Sequence, residues 1–254
     1  MTIHRPLWHR TVAKKRLPGL PCPQCTPGKL KLVKDGLSVR EPKYSSEWRD
    51  KHWDDWEPDH NVERWSAEMR CDEPGCGEIV HMIGDVEVVQ AELDLPDGKT
   101  VWGLEDVLRI QAVFPAPALF RLSENVPRPV AKELGVAFRM YWTDTAACVA
   151  RLRTAVERLL DDQGVPTEKT TKKGKILRMD LKERIDAFAS GAVHADQLQG
   201  LRVIGNLGTH GGDDVTSEDL FDAVDVLEFV VTGIYDTKVI NAKAAKLKGK
   251  TKGA

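Results

Sequence analysis

Four of the five cysteines stand in two close pairs, Cys22-Pro23-Gln24-Cys25 and Cys71-Asp72-Glu73-Pro74-Gly75-Cys76. A C-x2-C turn puts two sulfurs on one side of a tight loop, with backbone N–H groups near enough to hydrogen-bond the thiolates. That supplies half of a tetrahedral metal site. The second pair completes the set only if the fold brings residues 22–25 and 71–76 together. The expectation is structural zinc on Cys22, Cys25, Cys71 and Cys76, because four protein ligands leave no open position for a substrate. The other reading is four reduced thiols paired only in sequence, since both the C-x4-C spacing and the long interval between the pairs exceed those of usual sites. His81 is an alternative ligand, weighed against a plain strand-surface histidine. Cysteines grouped this way suit a reducing compartment better than a disulfide framework.

The first pair, continued by Thr26-Pro27-Gly28-Lys29-Leu30, resembles the first knuckle of a zinc ribbon. Between the pairs lies a Trp-rich insertion containing Trp48, Trp53, Trp56 and Trp65, embedded in Asp and Glu. Tryptophan at this density either packs within the chain or docks a protein partner; intramolecular packing is favoured because tryptophans are highly buried on average. Glu78 to Leu93 is rich in β-branched and alternating apolar residues and predicts one or two strands. Prolines at 115, 117, 127 and 129 mark a boundary. The expected class is α+β: residues 1–125 as a small zinc-ribbon-like β region, 126–238 as an all-α bundle, and 239–254 as a basic, disordered tail.

Several function classes drop out on composition. With 37 Lys and Arg against 39 Asp and Glu, the net charge of −2 excludes a globally basic nucleic-acid binder but leaves room for basic patches, as in Arg5 to Arg16 and Lys238 to Lys252. No run of about 18 apolar residues suggests a membrane span, and the opening residues lack the apolar segment of a secretory signal, so a cytoplasmic location is expected. There is no phosphate-binding glycine loop and no G-x-S-x-G elbow.

Past the prolines the period becomes helical. Helices are predicted from Pro129 through Tyr141, over Asp144 to Leu160 with Cys148 in its apolar stripe, over Leu181 to Ala189, and from Ala195 to His210. Ser190-Gly191 and Gly211-Gly212 end the last two. A capping box at Thr216 to Asp219 opens a final helix whose stripe runs from Leu220 to Ile234. Gln163 to Lys175 has no apolar period and predicts a mobile loop, either a solvated linker or a basic flap over a phosphate backbone. Within the helix from Ala195, Leu201, Ile204, Leu207 and Gly208 share one side, while Arg202, Asn206 and His210 form a polar stripe. Gly205 and Gly208 each weaken a helix by about 1 kcal/mol relative to Ala, which suggests close approach of another backbone. An Arg and a His on one face suit phosphoryl chemistry, the guanidinium on a charged transition state and the imidazole moving a proton. Alternatively, Arg202 makes a structural ion pair while Asn206 and His210 cap loops.

The motif Arg202-Val-Ile-Gly-Asn206-Leu-Gly-Thr-His210, with Arg153 to Leu160 before it and an apolar final helix after it, resembles a prokaryotic domain-of-unknown-function family. That family occurs alone, behind zinc ribbons and appended to restriction-enzyme subunits, and is similar to the HEPN superfamily of all-α domains. The resemblance covers roughly residues 126–236. It implies a HEPN-like bundle, a homodimer, and a defence-associated protein acting on RNA as a metal-independent ribonuclease. Arg202, Asn206 and His210 would be its catalytic trio. The nuclease members carry a shorter motif with a polar residue directly after the Arg, where this chain has Val203. The alternative function is a non-catalytic module in which the bundle dimerises and the ribbon or the Trp insertion binds a protein or nucleic acid.

Overall fold

The chain divides after Pro117 into two units, His4–Pro117 and the residues from Ala118 onward, in a computed structural model. The structure describes residues 4–14, 16–25, 27–94, 98–188, 193–210 and 215–249, the side chains of Asp94, Thr209 and His210 excepted. The class is α+β, with an N-terminal antiparallel sheet and six α-helices among the described residues.

The first unit is a sheet of five strands: β1 (Thr11–Ala13), β2 (Leu30–Arg40), β3 (Glu63–Cys71), β4 (Ile79–Asp94) and β5 (Thr100–Phe114). Their order is β1-β5-β4-β3-β2 and every pairing is antiparallel. In β3, Trp65, Ala67, Met69 and Cys71 are buried at every second position, the period of a half-buried strand. The segment 78–93, expected as one or two strands, lies from Ile79 onward in the single strand β4.

A register shift between Ile83 and Gly84 leaves one extra residue on β5, and the Trp65 indole fills the gap it makes. Its Nε1–H donates to the carbonyls of Asp85 at 3.1 Å and Arg109 at 3.3 Å. Gly84 is required there, because a Cβ would collide with the Arg109 carbonyl oxygen and sit 2.8 Å from the indole nitrogen.

The connection from β2 to β3 carries α1 (Lys43–Lys51) and two 3₁₀ turns, Trp53–Asp55 and Pro58–His60. Here the packing expected of the tryptophans is mixed. Trp65 is buried in β3 and Trp48 stacks on His52, but Trp53 is 74% exposed.

The second unit contains α2 (Arg128–Met140), α3 (Thr145–Asp162), β6 (Glu168–Thr170), β7 (Ile176–Arg178), α4 (Leu181–Ala187), α5 (Ala195–His210) and α6 (Ser217–Gly249). Asp144 caps α3 by accepting from Ala147 N–H at 2.9 Å. Cys148, Leu152, Ala155, Val156 and Leu159 of α3 are fully buried, and the helix packs against α2, α4, α5 and α6.

Two elements differ from expectation. Gln163 to Lys175, read as a mobile loop, leads into and forms most of an antiparallel hairpin, β6–β7; every residue of both strands is exposed, so no apolar period could announce it. The tail from 239, read as disordered, continues α6 as far as Gly249. The Ser190-Gly191 and Gly211-Gly212 breaks lie outside the described residues.

His194, just before α5, is buried with its Nδ1 unpartnered and its ring edge-on to Phe229 at 5.6 Å. Burial lowers its affinity for a proton below the ordinary imidazole value.

Two predictions follow from these packings. Gly84→Ala should destabilise the first unit by about 3 kcal/mol through overpacking, read as a lower urea midpoint by tryptophan fluorescence. Because the unfolded chain protonates His194 more readily than the folded one, stability should fall as pH drops below about 6.5. In His194→Gln, urea titrations between pH 5 and 8 should show a weaker dependence.

Candidate functional site

The first unit brings Cys22, Cys25, Cys71 and Cys76 together, their sulfurs all within 4.8 Å of one another. Cys22 and Cys76 stand 3.7 Å apart and Cys25 and Cys71 3.5 Å apart. A tetrahedron with metal–sulfur bonds of about 2.3 Å has sulfur–sulfur edges of about 3.8 Å, so the cluster has the dimensions of a four-thiolate metal site. None of the cysteines is in a disulfide. His81, the alternative ligand, is exposed on β4 and outside the group.

Short backbone contacts build the cluster. The N–H groups of Gln24 and Cys25 each point at the Cys22 sulfur at 3.4 Å, and Glu73 N–H points at the Cys71 sulfur at 3.4 Å. Burial works against a Cys22 thiolate, yet those two amides hold its thiol below the ordinary value. Burial pushes the Cys25 thiol up to about 12 and raises Cys71 as well, so these sulfurs need a cation to ionise near neutrality.

The two knuckles are joined by Asp72. Its N–H donates to the Lys29 carbonyl at 2.9 Å, and its carboxylate accepts from Lys29 N–H at 2.8 Å and pairs with Lys31 at 3.1 Å. The Lys29 amide first, and then Lys31, keeps that carboxyl below the usual range. Gly28 leaves space for sulfur: a Cβ there would overlap the Cys71 sulfur and stand 2.8 Å from that of Cys25.

In the second unit the polar stripe lies on α5. Leu198, Leu201 and Gly205 are buried, while Val203 is 50% and Leu207 39% exposed. The buried side is thus rotated by roughly 80° from the one inferred from Leu201, Ile204, Leu207 and Gly208, of which Leu207 was the outermost member. Glycine causes the rotation. A Cβ on Gly208 would come 2.8 Å from the Ala146 carbonyl oxygen, and one on Gly205 would press into the Arg153 side chain 2.6 Å away. Their bare backbones let α5 settle directly on α3.

That contact sets the polar partners. Asn206 accepts from Arg153 Nη1 through its carboxamide oxygen, and Arg153 Nε lies 3.5 Å from Glu157. Arg202 Nε donates to Gln199 Oε1 at 2.8 Å; Gln199 in turn donates to Asp186 at 2.9 Å and to the Lys182 carbonyl at 3.3 Å. His210 is the last residue of α5, and its side chain lies outside the described residues. Arg153, Glu157 and Gln199 had no assigned role in the sequence reading. Arg153 and Glu157 stand one helical turn apart on α3, a spacing that could have marked them.

Residues 10–109 match a family model described as a domain of unknown function (DUF8608), and residues 136–250 match another, a domain of unknown function (DUF4145). Two domains of unknown function therefore stand in series. The second match includes most of the segment set aside as a tail. No curated protein and no solved structure matches the chain.

Because Gly28 supplies the room the sulfurs occupy, Gly28→Ala should weaken metal retention about tenfold or more in competition with a chelator. Circular dichroism of the sheet should stay close to that of the parent.

Proposed function

We propose that the helical unit is a HEPN-like domain that acts on RNA, and that the four-cysteine unit is a structural zinc site attached to it. The observation that carries the RNA reading is the fixing of Arg202 by Gln199 on the same helix face as Asn206 and His210. A guanidinium held by one edge keeps the rest of its donor fork for a phosphate. The chemistry needs no metal. His210 removes the proton from a ribose 2′-hydroxyl, and that oxygen attacks the adjacent phosphorus. Arg202 stabilises the charge that develops, and the 5′-oxygen departs with the proton that the His210 imidazolium gives up, leaving a 2′,3′-cyclic phosphate. Asn206, held by Arg153, is a positioning residue.

Arg202 and His210 are eight positions apart, about 12 Å along the helix, and Asn206 is midway between them. Two α5 helices crossing antiparallel at Asn206 would set Arg202 of one copy beside His210 of the other. The exposed Val203 and Leu207 give such a homodimer apolar contact. For the cysteine unit, an all-thiolate tetrahedral set with amide donors to sulfur favours zinc over harder cations.

A second reading is non-catalytic: the Asn206 oxygen is already engaged by Arg153 and Arg202 Nε by Gln199, so both can serve the fold while the unit dimerises and binds a partner. On this reading the exposed Trp53 of the insertion belongs to a protein-binding surface.

Incubation with structured and unstructured RNA separates the two. Catalysis predicts cleavage to cyclic-phosphate ends, reduced by a factor of about 100 or more in His210→Ala and Arg202→Ala. Intact RNA with wild-type protein, across a range of substrates, would overturn it in favour of the binding module. Elemental analysis should find about one zinc per chain, with loss of the metal unfolding the cysteine knuckles.

A further inference from the structure

Between α3, β7 and α4 a cleft of about 340 Å³ opens on the second unit, and three arginines, Arg153, Arg178 and Arg184, converge on it. Its two acids are already committed. Glu157 faces Arg153 Nε at 3.5 Å, and Asp180 caps α4 by accepting from Glu183 N–H at 2.8 Å. Arg184 is only 7% exposed; its Nη2 donates to Asp161 at 2.7 Å and to the Val165 carbonyl at 3.3 Å, while its buried Nε has no partner. A salt-bridged guanidinium at that depth forms a rigid floor. The Arg178 side chain, by contrast, is exposed at the end of β7, opposite Glu168 of β6, and makes no hydrogen bond or ion pair among the described residues.

The hairpin that carries Arg178 adds charge. Lys169, Lys172, Lys173, Lys175 and Arg178 occur between positions 169 and 178 with no acid among them. Lys169 is tied to Glu183, which anchors the hairpin to α4, whereas Lys172, Lys173 and Lys175 are exposed in and beside its turn. A chain with a net charge of −2 thus concentrates cations around one cleft.

We propose that this cleft and hairpin form a phosphate-binding site for a single nucleic-acid strand, separate from the Arg202 stripe and joined to it through Arg153. The assignment deepens the RNA reading above and rests on it for the identity of the strand. Arg178 grips one phosphate in the cleft and the hairpin lysines follow the backbone outward. Arg153 lines the cleft and also donates to Asn206, so a strand seated here continues towards α5. The size suits one nucleotide unit, at the small end of the ligand clefts of about 300–1,000 Å³.

The test is fluorescence anisotropy of a labelled single-stranded RNA with the full chain, at several salt concentrations. Arg178→Ala should weaken binding about tenfold and flatten the dependence of log K on log salt by about 0.7, the value for one lost phosphate contact on a single strand. Lys172→Ala/Lys173→Ala/Lys175→Ala together should weaken it further, and all four positions are exposed enough to tolerate the change. Lys14→Ala, the same charge loss in the other unit, should bind as wild type. Competition by a nucleoside monophosphate with micromolar strength would support the phosphate site but assign it to a free nucleotide. Wild-type affinity in both the Arg178 and the triple-lysine variants, or no binding of either ligand by the wild type, would overturn the proposal. Arg178-dependent binding without any cleavage would support this site while ending the ribonuclease reading. His210-dependent cleavage with unchanged binding in Arg178→Ala would overturn this site alone.

Discussion

The second unit depends on how closely α5 approaches α3. Helices with ordinary side chains at the contact stand about 8–10 Å apart, and small residues allow the lower end of that range. Gly205 and Gly208 are the small residues here, one beneath the Arg153 stem and the other against the Ala146 carbonyl. Their cost in helix propensity, about 1 kcal/mol each, is offset by the packing of Leu198 and Leu201 beside them. What the approach provides is reach. It puts Asn206 within hydrogen-bonding distance of Arg153, and so ties the polar stripe of one helix to the ion pair of the next.

The first unit rests on an equivalent use of missing side chains. Gly84 admits the Trp65 indole to the register shift, and Gly28 admits two sulfurs to the space beside its backbone. In both places a large or polarisable group occupies volume that any Cβ would take. The sulfur cluster thereby sits at the joined ends of β2 and β3, where Leu30 is paired with Cys71.

How much of this could be read beforehand varied with the physical signal. Two close cysteine pairs were enough to raise a shared site for Cys22, Cys25, Cys71 and Cys76, although the interval between the pairs is long for one, and it is the strand pairing that brings them together. A helix over Ala195–His210 was legible from its apolar period. Its orientation was not: hydrophobic pattern counts side chains, and the contact with α3 is made where side chains are absent. Leu207 was therefore placed inside and is found 39% exposed. The β6–β7 hairpin gave no signal because its strands bury nothing, and β5 was missed because acidic and basic residues interrupt its alternation. Arg178 and Arg184 lie far from the stripe in sequence and meet Arg153 only in the folded unit.

The ladder between β2 and β3 ends with Arg40 opposite Arg64, so the connection that carries α1, Trp48 and Trp53 leaves and re-enters the sheet at neighbouring points. The entropy of closing such an excursion grows only with the logarithm of its length, about 0.6 kcal/mol for each doubling. With its ends fixed by strand pairing and the far ends of both strands held at the cysteines, the excursion can lengthen, shorten or change sequence at little cost to the sheet. It is the part of the first unit most free to diversify.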